Sequence, residues 1–172
     1  MNGNARNMKR GFSLVELVIV VVILGVIAAI AVPRISRGAK GAGDSALRSS
    51  LQGLRNSIDM FNAEHAGKWP GADGNEATLI DQLTKKTDIA GTVGTGATFI
   101  YGPYLRRGFP PVPVGPNAGS ATAVMMSTAA DLTTVIDETT DATIGWIYNY
   151  QTGQIIPNTD DTDESTVAYS SY

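Results

Sequence analysis

The sequence predicts an α+β protein in which a long amino-terminal helix packs on a small antiparallel β-sheet, and three observations support this. Residues 12–32 form an apolar run of 21 residues with one charge. Apolar residues then recur every three or four positions over residues 47–61, which is the period of a helix with one buried face. Alternating aromatic residues over 146–150, followed by a glycine turn, predict a β-hairpin.

The composition excludes several classes of functional site. The 172 residues contain no cysteine and one histidine. The absence of cysteine excludes disulfides, zinc–thiolate sites, iron–sulfur clusters and cysteine nucleophiles. The single histidine excludes a two-histidine zinc motif within one chain. A net charge of -3 also disfavours nucleic acid as a partner, because no net positive charge displaces counterions.

The mean hydropathy of +0.01 conceals an uneven distribution. Residues 1–55 carry eight Lys or Arg and two acidic residues, whereas residues 56–172 carry five and fourteen. A helix over residues 12–32 rises roughly 30 Å, the thickness of a bilayer's hydrocarbon core. The pattern predicts a basic leader (1–11), a membrane helix (12–32) with its amino-terminal side in the cytoplasm, and an acidic domain outside.

Glu16 lies inside the apolar run, and two simple interpretations leave it without a role. A cleaved secretory signal has a small-x-small site available at Ala29-Ile30-Ala31, but the run is long for such a signal. A plain signal anchor fits the length. A carboxylate at the centre of a membrane costs about 2.5–3.5 kcal/mol and less near an end, so a retained acid predicts a function and a partner.

Residues 9–17, Lys-Arg-Gly-Phe-Ser-Leu-Val-Glu-Leu, resemble the class III signal of type IV pilins and type II secretion pseudopilins. The resemblance implies that a membrane aspartyl peptidase cuts between Gly11 and Phe12 and that the new amino terminus, Phe12, is methylated. Glu16 then becomes the fifth residue of the mature chain, and the apolar helix is retained.

The same resemblance implies a homo-oligomeric helical filament. The Phe12 ammonium of one copy would pair with the Glu16 carboxylate of a neighbour and set the register between subunits. Implied partners are the prepilin peptidase, other pseudopilins, an inner-membrane assembly platform and, before assembly, membrane lipid. The implied location is the bacterial inner membrane, single-pass, with the following domain in the periplasm.

Residues 33–43 predict a kinked, glycine-rich connector. Pro33 removes a helical hydrogen bond, and three glycines within six residues each cost about 1 kcal/mol relative to alanine in a helix. Pilin-like proteins have a comparable helix-breaking proline. Whether Arg34, Arg37 and Lys40 contact the membrane surface or form a solvated face stays open.

Residues 44–172 form the predicted globular domain, whose first helix starts at Asp44, a good N-cap residue. His65, near the end of that helix, is predicted to be a surface or capping residue. A short helix is predicted over residues 77–86 with Asn75 as its cap. The apolar stripe of the first helix comprises Leu47, Leu51, Leu54, Ile58 and Phe61.

The rest of the domain is predicted to be β-structure and loops. Five prolines within residues 103–116 exclude a central strand there. A strand is predicted over residues 121–126 and a hairpin over residues 146–156. The aromatic face of the hairpin, Trp146, Tyr148 and Tyr150, is expected to cover the apolar stripe.

Two segments of the domain are similar to major pseudopilins: residues 102–105 with the prolines that follow, and residues 145–149 with Thr152-Gly153. Residues 117–143 match no pattern. Major pseudopilins often hold calcium in a carboxyl-terminal loop, and the hard oxygens of Asp160, Asp161, Asp163 and Glu164 suit Ca²⁺. A solvated acidic tail is the alternative.

The predicted function is that of a structural filament subunit, most concretely a pseudopilin of a type II secretion system and not an enzyme. A type IV pilus subunit, for adhesion, motility or DNA uptake, is the alternative within this class. A membrane-anchored enzyme or binding module is the alternative outside it. No nucleophile–base pair supports an enzyme, although a carboxylate pair among the acids would escape sequence inspection.

Overall fold

The computed structural model describes residues 12–119 and 122–172. The predicted leader (1–11) and Ala121, the first residue of a predicted strand, lie outside the described residues. The chain divides into two compact units between Ala39 and Lys40. This boundary falls within the predicted connector.

Helix α1 comprises Leu14–Glu64 and includes both predicted helical segments. Residues 33–43 are helical as well, and the predicted kinked connector stays a prediction. Within the second unit, Gly43 lies against Val114, whose Cγ1 would be 3.4 Å from a Cβ at position 43. This is an ordinary van der Waals distance, so the contact with Val114 does not by itself require glycine at position 43. A kink at Pro33 stays a prediction.

The predicted stripe forms the core of the second unit. Each of its five side chains is at most 1% exposed, and all five share one apolar cluster with Trp146 and Tyr148. Tyr150 packs against the same cluster. The prediction that the aromatic face of the hairpin covers the stripe is confirmed. Full burial of each large apolar side chain contributes about 1.5–3 kcal/mol, so this contact dominates the packing.

Three strands form the sheet: β1 (Ala123–Ser127), β2 (Ile144–Asn149) and β3 (Ile155–Pro157). The β2–β3 pair is an antiparallel hairpin, as predicted. The β1–β2 pair is parallel, so the sheet is mixed and the wholly antiparallel prediction is wrong. Parallel neighbours require a long crossover instead of a tight turn, and residues 128–143 provide it.

The crossover also covers the second face of the sheet. It contains a 3-10 turn, Leu132–Val135, and Leu132 packs with Ile147 and Ile156 in a separate small cluster. Both faces of β2 are therefore buried. Residues 132–136, within the segment 117–143 that matches no sequence pattern, supply this cover.

Helix α2 comprises Glu76–Thr84, whereas the predicted range is 77–86. Asn75 caps it as predicted, because its side chain accepts a hydrogen bond from the N–H of Ala77 at 2.9 Å. Leu79 and Leu83 bury its apolar face. The Glu76 carboxylate accepts a hydrogen bond from the N–H of Val124 at 2.7 Å. The helix therefore helps to position β1.

His65 is fully buried, so its predicted surface or capping position is wrong. Its Nδ1 lies 2.8 Å from the Phe61 carbonyl oxygen and its Nε2 lies 2.9 Å from the Thr87 hydroxyl. Because a carbonyl only accepts, Nδ1 donates to Phe61, and Nε2 shares a hydrogen bond with the Thr87 hydroxyl. The ring also stacks on Phe61 with a centroid distance of 3.8 Å.

Candidate functional site

The amino-terminal half of α1 is apolar and exposed. Leu14–Val32 has a mean hydropathy of 3.1, and none of this stretch is buried against the rest of the chain. Nineteen residues at 1.5 Å each rise roughly 28 Å, which is enough by length and composition to cross a bilayer. These side chains are exposed in the described part of the chain, and an exposed apolar surface of this extent is typical of a membrane or protein contact.

The first turn of α1 contains a capping box. The N–H of Ser13 donates to Glu16 Oε2 at 2.9 Å, and the N–H of Val15 donates to Ser13 Oγ at 3.3 Å. Two backbone donors that have no partner within the helix are thus satisfied by side chains. These hydrogen bonds are more stabilising in a lipid bilayer than in water, because no water molecules are present there to bond the same N–H groups.

Sequence reasoning attended to the charge of Glu16 and missed Ser13. The signal was present, because Ser-x-x-Glu directly before an apolar run is the sequence signature of a capping box. Glu16 therefore has a structural role in one copy in addition to the role predicted between copies.

The other predicted residues of this segment are placed as follows. Gly11 lies outside the described residues. The side chain of Phe12 is 83% exposed and directly precedes the capping box. Pro33 lies within α1. Phe12 and Glu16 are therefore both on the exposed amino-terminal part of the chain, where a second copy can reach them.

The predicted metal ligands differ in their surroundings. Asp160 and Asp161 are exposed, whereas Asp163 is buried and both of its carboxylate oxygens already accept hydrogen bonds. Within residues 12–119 and 122–172, no three His, Asp or Glu side chains are grouped so that they could hold a metal ion. The described side chains do not present a ready calcium site, and calcium at Asp160, Asp161 and Asp163 stays a prediction.

A cleft of about 560 Å³ in the second unit is lined by Arg55, Asp59, Trp69 and the turn of the hairpin. Arg55 Nη2 donates to the main-chain oxygens of Ile155 and Tyr172, at 3.2 and 2.6 Å. Its guanidinium is therefore hydrogen-bonded to the backbone of the domain. His65, the only histidine, is buried elsewhere. A serine–histidine pair is therefore absent from this cleft.

Comparison with known proteins identifies the amino-terminal segment. Residues 6–32 match the family model described as the prokaryotic N-terminal methylation motif, which is the signature of type IV pilin-like proteins. The match covers residues 6–11 of the predicted leader and the apolar segment, and it does not extend to the domain that follows. No curated protein and no solved structure matches the chain significantly.

Proposed function

We propose that the chain is a structural subunit of a type IV pilus-like filament, most concretely a pseudopilin of a type II secretion system. The observation that carries this proposal is the methylation motif at residues 6–32, followed by an apolar helix that is exposed on the single chain. A subunit that polymerises through this helix would bury the exposed surface against other copies.

In this proposal, the chain is inserted into the inner membrane as a precursor and processed there. Prepilin peptidase cleaves between Gly11 and Phe12 and methylates the new terminal amine, which keeps its positive charge. The leader and its basic residues are lost. The domain that follows the membrane helix is placed in the periplasm, and the mature subunit then engages other pseudopilins and an inner-membrane assembly platform.

Assembly in this proposal depends on a change of partner at Glu16. In the single chain, its carboxylate caps the helix through the N–H of Ser13. In the filament, the same carboxylate pairs with the Phe12 ammonium of a neighbour. A buried pair contributes mainly to register, whereas an unpaired carboxylate in an apolar environment is costly. Subunits staggered so that the charges meet are therefore favoured over other packings.

Two alternatives remain in view. A type IV pilus subunit would have the same signal and helix, and the secretion role is favoured only by the likeness of residues 102–105 and 145–153 to major pseudopilins. A membrane-anchored enzyme or binding module would have no need of a processed leader. Processing of the amino terminus therefore separates the filament proposal from the anchored one.

The deciding experiment is mass spectrometry of the mature chain after co-expression with a prepilin peptidase. The proposal expects a chain that starts at methylated Phe12. A chain that starts at Val32 would indicate a cleaved secretory signal, and an uncut chain would indicate an anchor. Gly11→Val is the matched control, because it is expected to block cleavage while leaving the apolar segment unchanged.

A further inference from the structure

A groove in the second unit lies beside α1 and has two arginines at its rim. It has a volume of about 470 Å³ and lies between Gly53 on α1 and residues 104–110. Arg106 and Arg107 (the arginine pair) line this groove, and both side chains are exposed. No acidic residue is among the described residues that line it. In the described part of the chain, neither arginine forms an ion pair or a side-chain hydrogen bond.

The backbone that carries the arginine pair is held in place. The N–H groups of Tyr104 and Leu105 both donate to the Leu83 carbonyl, at 2.9 and 2.8 Å. The Tyr104 hydroxyl donates to Glu64 Oε2 at 2.5 Å. The two residues directly before the arginine pair are therefore bonded to α2 and to α1. Because this backbone is already ordered, a partner that binds the arginines pays little conformational entropy for it.

A second cleft, of about 560 Å³, contains two carboxylates. Asp59 and Asp131 are the acidic residues among the described residues that line this cleft (the carboxylate cleft), and both are exposed. Asp59 has no hydrogen bond or ion pair to any described side chain. Asp131 Oδ1 accepts from the N–H and the hydroxyl of Thr133, at 2.9 and 2.7 Å. These hydrogen bonds lower the pKa of Asp131 below its ordinary value of 3.8, so it is charged at neutral pH.

Arg55 does not neutralise this cleft by direct contact. It is the basic residue among the described residues that line the cleft. Its Nη2 donates to two main-chain oxygens, at 3.2 and 2.6 Å, and the ion pairs of the described chain do not include it. Both carboxylates of the cleft are therefore available to a cation from outside the chain.

The groove and the carboxylate cleft lie on opposite sides of α1. Ser50 lines the groove, and Asp59 lines the cleft. Positions 50 and 59 differ by about two and a half turns at 3.6 residues per turn, so their side chains point in opposite directions. The arginine pair and the two carboxylates are therefore kept apart within one copy. They meet when two copies lie side by side, with the groove of one facing the cleft of the next.

Such a contact joins two different surfaces and therefore repeats from copy to copy. A heterologous contact of this kind generates a closed ring or an open helical filament. Opposite charges also favour one register, because other registers bring like charges together. We propose that the arginine pair of one copy docks in the carboxylate cleft of the next copy in the filament. This proposal rests on the proposed filament function and adds which surfaces of the domain are in contact.

Charge reversal in the full chain tests the contact, in cells that contain a prepilin peptidase and an assembly platform. Arg106→Glu with Arg107→Glu reverses the pair, and Asp59→Lys with Asp131→Lys reverses the cleft. We expect each double variant to be processed normally and to form at least fivefold less sheared filament per membrane subunit than wild type. All four substitutions together restore opposite charges and should bring filament back to within twofold of wild type.

Lys85→Glu with Lys86→Glu is the matched control, because it makes the same change of net charge at a second exposed basic pair. It should leave filament within twofold of wild type. Arg106→Gln with Arg107→Gln is the milder variant, in case a reversed chain does not fold, and should lower filament at least twofold. Thermal unfolding of each unassembled chain in detergent checks that it is folded.

Three results overturn the contact while wild-type filament still supports the proposed function. They are normal filament from the glutamine variant, equal loss in the lysine control, and a loss that the fourfold variant does not recover. The last result would assign the arginine pair to another partner, such as lipid phosphate. Absence of filament from a normally processed wild-type chain would instead overturn the filament function, and this contact with it.

Discussion

Gly153 lies directly against the indole ring of Trp69. A Cβ built at position 153 would be 2.4 Å from Cε3 of that ring, and the φ angle of Gly153 is +75°. The N–H of Gly153 also donates to the Asn149 carbonyl at 2.8 Å, which closes the turn between β2 and β3. Two independent constraints, a left-handed backbone and a facing ring, therefore require glycine at this position.

Gly153→Ala should lower the free energy of unfolding by about 2–5 kcal/mol. A left-handed non-glycine residue costs roughly 1–2 kcal/mol, and displacement of a packed ring adds about 1–3 kcal/mol. Gly67→Ala is the matched control, because Gly67 has a φ of +80° and no atom within 4 Å of its built Cβ. Denaturant unfolding in detergent measures both. Equal losses would show that the contact with Trp69 is unimportant.

Substitution of Glu16 separates helix capping from charge pairing. Glu16→Gln keeps an oxygen that can accept from the Ser13 N–H but has no charge, whereas Glu16→Ala removes both. We expect both variants to be inserted and cleaved, and both to form at least tenfold less filament. The measurement is the ratio of sheared filament to membrane subunit, with processing checked on the same gel.

Different outcomes assign different roles to this residue. Normal assembly by Glu16→Gln would leave capping as its sole contribution. Normal assembly by Glu16→Ala would remove Glu16 from the mechanism altogether. Ser13→Ala serves as the control for the other half of the capping box, because it removes only the acceptor of the Val15 N–H.

Tyr148→Phe should leave stability unchanged or raise it by about 1 kcal/mol. Among the residues that the structure describes, Tyr148 Oη is the buried side-chain polar atom that lacks a hydrogen-bond partner. A buried hydroxyl without a partner has lost its hydration and gains nothing in return. Burial also raises the pKa of Tyr148 above its ordinary value of 10.0.

The control for this change is Tyr169→Phe, which removes the hydrogen bond to Asp44 and should cost about 1–2 kcal/mol. Unfolding curves of the two variants, measured side by side, test the contrast. A loss of more than 1 kcal/mol for Tyr148→Phe would show that the hydroxyl has a partner after all.

Calcium should leave the thermal unfolding midpoint unchanged. The two oxygens of Asp163 are occupied by donors, and no group of three acids converges among the described residues. Thermal unfolding of the full chain in detergent, with added Ca²⁺ and then with excess EDTA, measures this directly. A rise in the midpoint that EDTA reverses would support the calcium site predicted at Asp160, Asp161 and Asp163.

Local sequence patterns predicted the features that depend on neighbouring residues. The stripe from Leu47 to Phe61 needs only a helical period, the hairpin needs alternation and a turn, and the α2 cap needs Asn75 one position before its helix. Each prediction is confirmed because the physical cause lies within a few residues of its effect.

Contacts between distant residues escaped prediction. Buried His65 forms a hydrogen bond with the side chain of Thr87, which is 22 positions away. No local pattern of apolar residues around His65 predicts this contact. The parallel pairing of β1 with β2 depends on how a crossover of irregular sequence folds back over the sheet. Asp163, within the acidic segment, is buried and lies 3.5 Å from Arg48, which is 115 positions earlier.

The sequence by itself determined the amino-terminal signal, the apolar helix and the buried face of α1, because apolar spacing and single motif residues are local properties of the chain. Only the tertiary structure decided that Asp163 is buried beside Arg48 and that the sheet is mixed. Polar side chains have several possible partners in the sequence, and folding selects the one whose donor reaches them in a buried site.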